Sequence, residues 1–188
     1  MAASSDKQQV LFFQGAGDGA YEEDEKLADS LQKELGSGYE VHYPRMPDND
    51  SNDEWAEQIG EEIGSIESEV VLVAHSVGAS TLLKYLADNE GELKQPITGI
   101  VLMATPFWGG DKGWQYEGFT MTRDFQDKLP KDVPIFLYHN RDDEIVPFDH
   151  LALYAEKLPS AILREGASGG HQFDDDLTTV AADIKKLQ

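Results

Sequence analysis

The chain has 188 residues, 40% hydrophobic and 27% charged, with 36 acidic against 15 basic side chains and a net charge of −21 at pH 7. That length suits a single domain, residues 1–188, burying roughly 70% of the surface its unfolded chain exposes. No apolar run approaches the ~18 residues a bilayer crossing needs, and so negative a chain repels phosphate backbones and anionic lipid surfaces, so neither nucleic acid nor membrane is an expected partner.

The acids are spread along the chain, as solubility requires, and are not gathered into one tail. The absence of cysteine removes a thiol nucleophile, a thiolate metal site and a redox pair. The opening MAASSDKQQ lacks the basic start and apolar core of a secretory signal, so a cytoplasmic location is expected.

The first strand is expected at Val10 to Phe13, followed by QGAGDGA, Gln14 to Ala20. Gly15, Gly17 and Ala20 fit the dinucleotide pattern G-x-G-x-x-G/A, which makes a nicotinamide or flavin enzyme one reading. That fingerprint also needs an acid at the end of the second strand. The second strand, Tyr39 to Tyr43, ends in His42-Tyr43-Pro44-Arg45 without one. Between these strands Leu27, Leu31 and Leu35 recur at helical spacing. DNDSND, Asp48 to Asp53, begins like a calcium loop, but its sixth position is Asp53 in place of Gly and its twelfth Ile59 in place of Glu. A polar loop capping the helix of Trp55, Ile59 and Ile63 is the expectation.

The third strand, Val70 to Ala74, runs into Ala74-His75-Ser76-Val77-Gly78 and then a helical pattern through Leu82, Leu83 and Leu86. A serine between small residues at a strand-to-helix turn is the signature of a nucleophile elbow. The competing reading is a serine that caps the helix. After the fourth strand, Ile97 to Met103, residues 105–123 lack regular periodicity and carry Phe107, Trp108, Trp114, Tyr116 and Phe119. These aromatics could line a substrate pocket or form a short lid, or could cover the edge between helices and sheet.

The fifth strand, Ile135 to Tyr138, is followed by HNRDDEIVP, where Asp142 and Asp143 compete as a carboxylate partner for a histidine. The sixth, Ala161 to Arg164, is followed by EGASGGHQF, whose His171 could take and return a proton from a flexible loop. Asp174, Asp175 and Asp176 then suit the start of the final helix.

Alternating strands and helices imply a three-layer α/β/α sandwich around a mainly parallel six-stranded sheet, joined by right-handed crossovers. In such sheets the working residues lie beyond the carboxyl ends of the strands, near the point where strand order reverses. Ser76, an acid and His171 all lie there, in the chain order of the α/β-hydrolases.

On AHSVG, the D-x-x-V-P segment from Asp143 to Pro147, and the GGH ending at His171, the sequence resembles an α/β-hydrolase over nearly its full length. It looks most like the small serine hydrolases without a large cap, related to the retinoblastoma-binding serine hydrolase. The resemblance implies Ser76 as nucleophile, Asp143 as the acid and His171 as the base. It also implies an oxyanion hole from the N–H groups of Val77 and Ala16, although Gln14-Gly15 stands where many members have His-Gly.

The implied activity is hydrolysis of a carboxylic ester or related acyl bond of a small molecule, with no metal or organic cofactor. Phe107, Trp108 and Trp114 are the expected substrate-contacting residues. His75, His139 and His150 are expected to matter less than His171. A hydrolase-like binding module without turnover is the alternative.

Overall fold

The computed structural model describes residues 7–48 and 51–187, so Asn49 and Asp50 of the DNDSND stretch lie outside the described residues. The strands are β1 (Gln8–Phe13), β2 (Tyr39–His42), β3 (Val70–His75), β4 (Ile97–Met103), β5 (Ile135–Asn140) and β6 (Ile162–Gly166). They form one sheet in the order β2-β1-β3-β4-β5-β6, every neighbouring pair parallel. The helices are α1 (Ala20–Leu35), α2 (Asn52–Ser65), α3 (Val77–Asp88), α4 (Asp149–Lys157) and α5 (Thr178–Ile184).

The alternation in residue pattern therefore becomes a doubly wound sheet, because a strand buried on both faces needs helices above and below it. α2, α3 and α4 pack their apolar residues, including Trp55, Ile59, Leu82, Leu83 and Tyr154, on one face. On the other face α1 and α5 contribute Leu27, Leu31, Leu35, Val180 and Ile184. The chain steps outward from β1 to β2 and returns to β3, so the order reverses between β1 and β3. The loops leaving those two strands diverge to opposite faces and leave a crevice between them.

Two expectations need correction. Strict alternation fails between β4 and β5, where residues 104–134 hold two short 3-10 turns, Glu117–Phe119 and Phe125–Lys128, in place of an α-helix. Pro106, Gly109, Gly110 and Gly113 interrupt any 3.6-residue apolar period there, so no helix can form over the first half of that link. Leu177 holds the N-cap position of α5, and of the three late acids only Asp176, one residue earlier, reaches the helix, its Oδ1 accepting the Thr178 N–H at 2.9 Å. Asp174 and Asp175 belong to a separate 3-10 turn with positive φ.

Candidate active site

β3 ends in the crevice, and the turn that follows is strained. Ser76 has φ 54° and ψ −128°, a conformation that costs a non-glycine residue of order 1–3 kcal/mol. The Ser76 N–H donates to the Met103 carbonyl at 2.8 Å, and its own carbonyl accepts from Ala79 N at 2.9 Å, which fixes the turn on both sides. Close packing explains the small residues. A Cβ on Gly78 would stand 2.0 Å from the Gln14 carbonyl oxygen, and one on Gly15 would stand 3.2 Å from the Ser76 Cβ.

Ser76 occupies the N-cap position of α3 but makes no side-chain capping bond. Its Oγ lies instead 3.0 Å from His171 Nε2. The other ring nitrogen, His171 Nδ1, lies 3.0 and 3.1 Å from the two Asp143 carboxylate oxygens. A carboxylate only accepts, so Nδ1 carries the hydrogen and Nε2 presents its lone pair to the serine hydroxyl. Ser76 is 7% exposed, so its side chain is largely withdrawn from solvent.

Asp142 and Asp143 differ in what each carboxylate holds. Asp143 points inward, its side chain 1% exposed, accepting the N–H groups of Ile145 and Val146 at 2.9 Å with Oδ1 and facing His139 Nε2 at 3.2 Å with Oδ2. Burial alone would raise its pKa, but hydrogen bonds from His139 and His171 outweigh this and hold the carboxyl well below the usual carboxylate range.

Asp142 accepts the backbone N–H groups of Gly169 and Gly170, and Glu144 accepts that of His171. Asn140 donates to the Gly170 carbonyl at 2.9 Å. Three consecutive acids thus clasp one loop, two by its backbone and one by its imidazole.

Val77 opens α3, where helix N–H groups point away from the helix unpartnered. Ala16 lies in the loop after β1. Among the described residues neither N–H meets an acceptor within the protein. The Gln14 side chain braces this loop, donating to the Gly15 carbonyl at 3.2 Å and accepting Met46 N–H at 3.0 Å. Beside Ala16 lies a cleft of about 150 Å³ bordered by Tyr21, Arg45, Met46 and Trp55.

The aromatic residues after β4 form one stack on α3 and α4. Trp108 donates its indole N–H to Ser80 Oγ at 2.9 Å and packs against Trp114 and Phe119 at centroid distances of 5.0 and 5.1 Å. His150, buried on α4, faces Asp111 at 2.5 Å and accepts the Phe107 N–H at 2.8 Å, which ties the segment down. Phe107 itself packs edge-on against buried Tyr154 at 4.8 Å and joins the core on the α3 side. His150 is thus a structural anchor, and His139 a partner of Asp143. His75 points away from Ser76, toward Asp24.

The sheet order and the crevice are those of the α/β-hydrolase fold. The ydeN gene product of B. subtilis superposes with a TM-score of 0.69 at 21% identity, covering 96% of this chain and 98% of that one. An esterase, RhEst1 from Rhodococcus sp. ECU1013, gives 0.72 at 14% identity over 97% of this chain and 90% of its own. A serine hydrolase involved in carbazole degradation, the CarC enzyme, gives 0.68 at 16% identity over 96% and 90%. Residues 22–187 match the serine hydrolase family model, and the chain belongs to that family. No curated protein matches the sequence significantly. Among the described residues no helix is long and apolar enough to cross a membrane.

Proposed function

We propose that this hydrolase cleaves a carboxylic ester or related acyl bond of a small molecule, with Ser76 as nucleophile, His171 as general base and Asp143 as its orienting acid. The observation that carries this reading is the pair of approaches at His171, 3.0 Å to Ser76 Oγ and 3.0 Å to Asp143. His171 takes the hydroxyl proton as Oγ attacks the carbonyl carbon, and Asp143 stabilises the imidazolium so formed. The Val77 and Ala16 N–H groups receive the developing oxyanion, a contribution of about 3–4 kcal/mol for one such donor. His171 then protonates the leaving group, and water repeats the sequence in reverse to release the acid. The chemistry is complete without a metal or organic cofactor.

The cleft beside Ala16, about 150 Å³, suits a short acyl or alcohol group. Trp108 and Trp114 flank the other side of the crevice on this reading, and Phe107 supports them from the core. A small uncharged or cationic substrate fits the charge of −21, and the cysteine-free composition fits a cytoplasmic setting. The test is intact mass after fluorophosphonate treatment, with wild type and Ser76→Ala side by side. One adduct on wild type and none on the variant is expected. A folded wild type without an adduct would overturn the mechanism and leave a binding module.

A further inference from the structure

Next to Ser76 lies a second buried histidine–carboxylate pair that the mechanism above does not use. His75 and Asp24 are each 2% exposed. His75 Nδ1 lies 2.9 Å from Asp24 Oδ2, and His75 Nε2 lies 2.9 Å from the backbone carbonyl of His171. Both partners are pure acceptors. A neutral imidazole has one N–H and one lone pair, so it can satisfy only one of these contacts and must set a lone pair against the other oxygen. An imidazolium satisfies both.

Asp24 in turn gathers three donors from three parts of the site. Its Oδ2 accepts the Gly15 N–H at 2.7 Å as well as His75, and its Oδ1 accepts the Gln172 side-chain amide at 2.7 Å. One ion pair therefore ties the loop after β1, the end of β3 and the loop of His171 to α1. These are the segments that carry Ala16, Ser76 and His171.

We infer that His75 is held as an imidazolium and that the Asp24–His75 pair is a positioning pair, setting the His171 loop and the Gly15 loop around Ser76, so that activity falls when His75 loses its proton. This rests on the roles given to Ser76 and His171 above. The groups facing His75 come from four elements. Asp24 projects from α1, and Asp143 acts at longer range from the loop after β5. The His171 ring stands 4.7 Å away and the Phe173 ring 6.2 Å away, both in the loop after β6. The Tyr43 phenol, beyond β2, is near Asp24, donates to the Tyr21 carbonyl and stays protonated, its pKa raised by burial and by Asp24.

The charges are balanced for the reaction. A lone cation 4.7 Å from His171 would oppose the second imidazolium that the transition state needs. The Asp24 carboxylate cancels it. Burial would push the His75 pKa down, but the charge and hydrogen bond of Asp24, the His171 carbonyl and Asp143 together raise it above the ordinary histidine value. Loss of that proton turns one ring nitrogen's lone pair on an oxygen and releases either the His171 carbonyl or Asp24.

The experiment follows the ring nitrogens of ¹⁵N-histidine-labelled wild type by NMR through a pH titration, with the His75 signals assigned from His75→Gln. The second-order rate of fluorophosphonate inactivation is measured over the same range. Expected is a His75 doubly protonated at pH 7, and an inactivation rate that falls about tenfold or more as His75 deprotonates. Asp24→Asn removes the charge that raises the His75 pKa and should lower the pH of both events together.

A His75 that is neutral at pH 7 in wild type would overturn the inference, whatever the variants do. So would a rate that stays level while His75 titrates. Failure of the hydrolase reading shows differently: wild type would take no adduct at any pH, which removes the positioning role while the His75 spectrum still reports the charge state.

Discussion

Gly78→Ala tests the packing of the elbow most directly. The added Cβ would meet the Gln14 carbonyl oxygen at 2.0 Å, with the Gln14 carbonyl carbon at 3.0 Å and the Phe13 oxygen at 3.3 Å. All three are backbone atoms, which cannot swing aside as a side-chain tip can. Restoring van der Waals contact requires α3 and the loop after β1 to part by about 1 Å or more. Overpacking of this kind costs about 1–3 kcal/mol, a melting-temperature drop of about 2–12 °C for a domain of this size.

The effect on chemistry should be larger than the effect on stability, because the two segments that separate carry Val77 and Ala16. A misplacement of about 1 Å at reacting groups costs on the order of 100-fold in rate. Fluorophosphonate inactivation rates and thermal melts measure the two effects separately. Gly64→Ala is the internal control, since a Cβ there meets nothing within 4 Å and the residue lies inside α2. That change should raise stability by about 0.5–1 kcal/mol and leave labelling intact. Wild-type labelling and melting in Gly78→Ala would refute the packing argument.

Asp143→Asn should retain the fold and lose on the order of 10⁴-fold in turnover of a short acyl ester, because an amide can fix the wrong imidazole tautomer. Asp142→Asn weakens the hold on Gly169 and Gly170 without touching the ring, so a roughly tenfold loss is expected, about 1.4 kcal/mol in barrier. A loss matching that of Asp143→Asn would reverse the assignment of the two acids. The folded-state pKa values of Asp143 and Asp24 are both depressed, so each contributes stability that is present above about pH 4, the ordinary carboxylate value, and lost as pH falls through the lower folded value. Denaturant unfolding at pH 7 and pH 3 should show the loss in wild type, and Asp143→Asn should show a smaller one. Trp108→Phe removes the donor to Ser80 and should mainly raise KM for the ester, a change that steady-state kinetics reads directly.

The fold was legible because burial imposes itself on composition. β3 reads VVLVAH and is buried at every position, and α1 repeats leucine at Leu27, Leu31 and Leu35. The link from β4 to β5 was legible only as an absence of pattern. Its form depends on long-range ties, such as Trp108 to Ser80 and His150 to Asp111, between residues tens of positions apart. No local rule encodes those partners.

The site divides in the same way. Of the proposed triad, Ser76 and His171 were legible because each stands in a short motif at a strand end, whereas Asp142 and Asp143 competed on spacing and only the family resemblance favoured Asp143. Asp24 stood in no motif, yet it left a trace. It falls four residues before Ala28 and seven before Leu31, on the stripe that α1 buries, where a carboxylate would cost far more than it returns unless charged or hydrogen-bonded partners awaited it.

His75 left the matching trace as a polar ring ending a fully buried strand. Each residue alone reads as a local inconsistency, and 51 positions separate them. Only the sheet order, which sets the end of β3 beside the loop that leads from β1 to α1, turns two misfits into one pair. An acid in an apolar stripe and a histidine closing an apolar strand are therefore worth testing against each other wherever an α/β sheet brings their elements together.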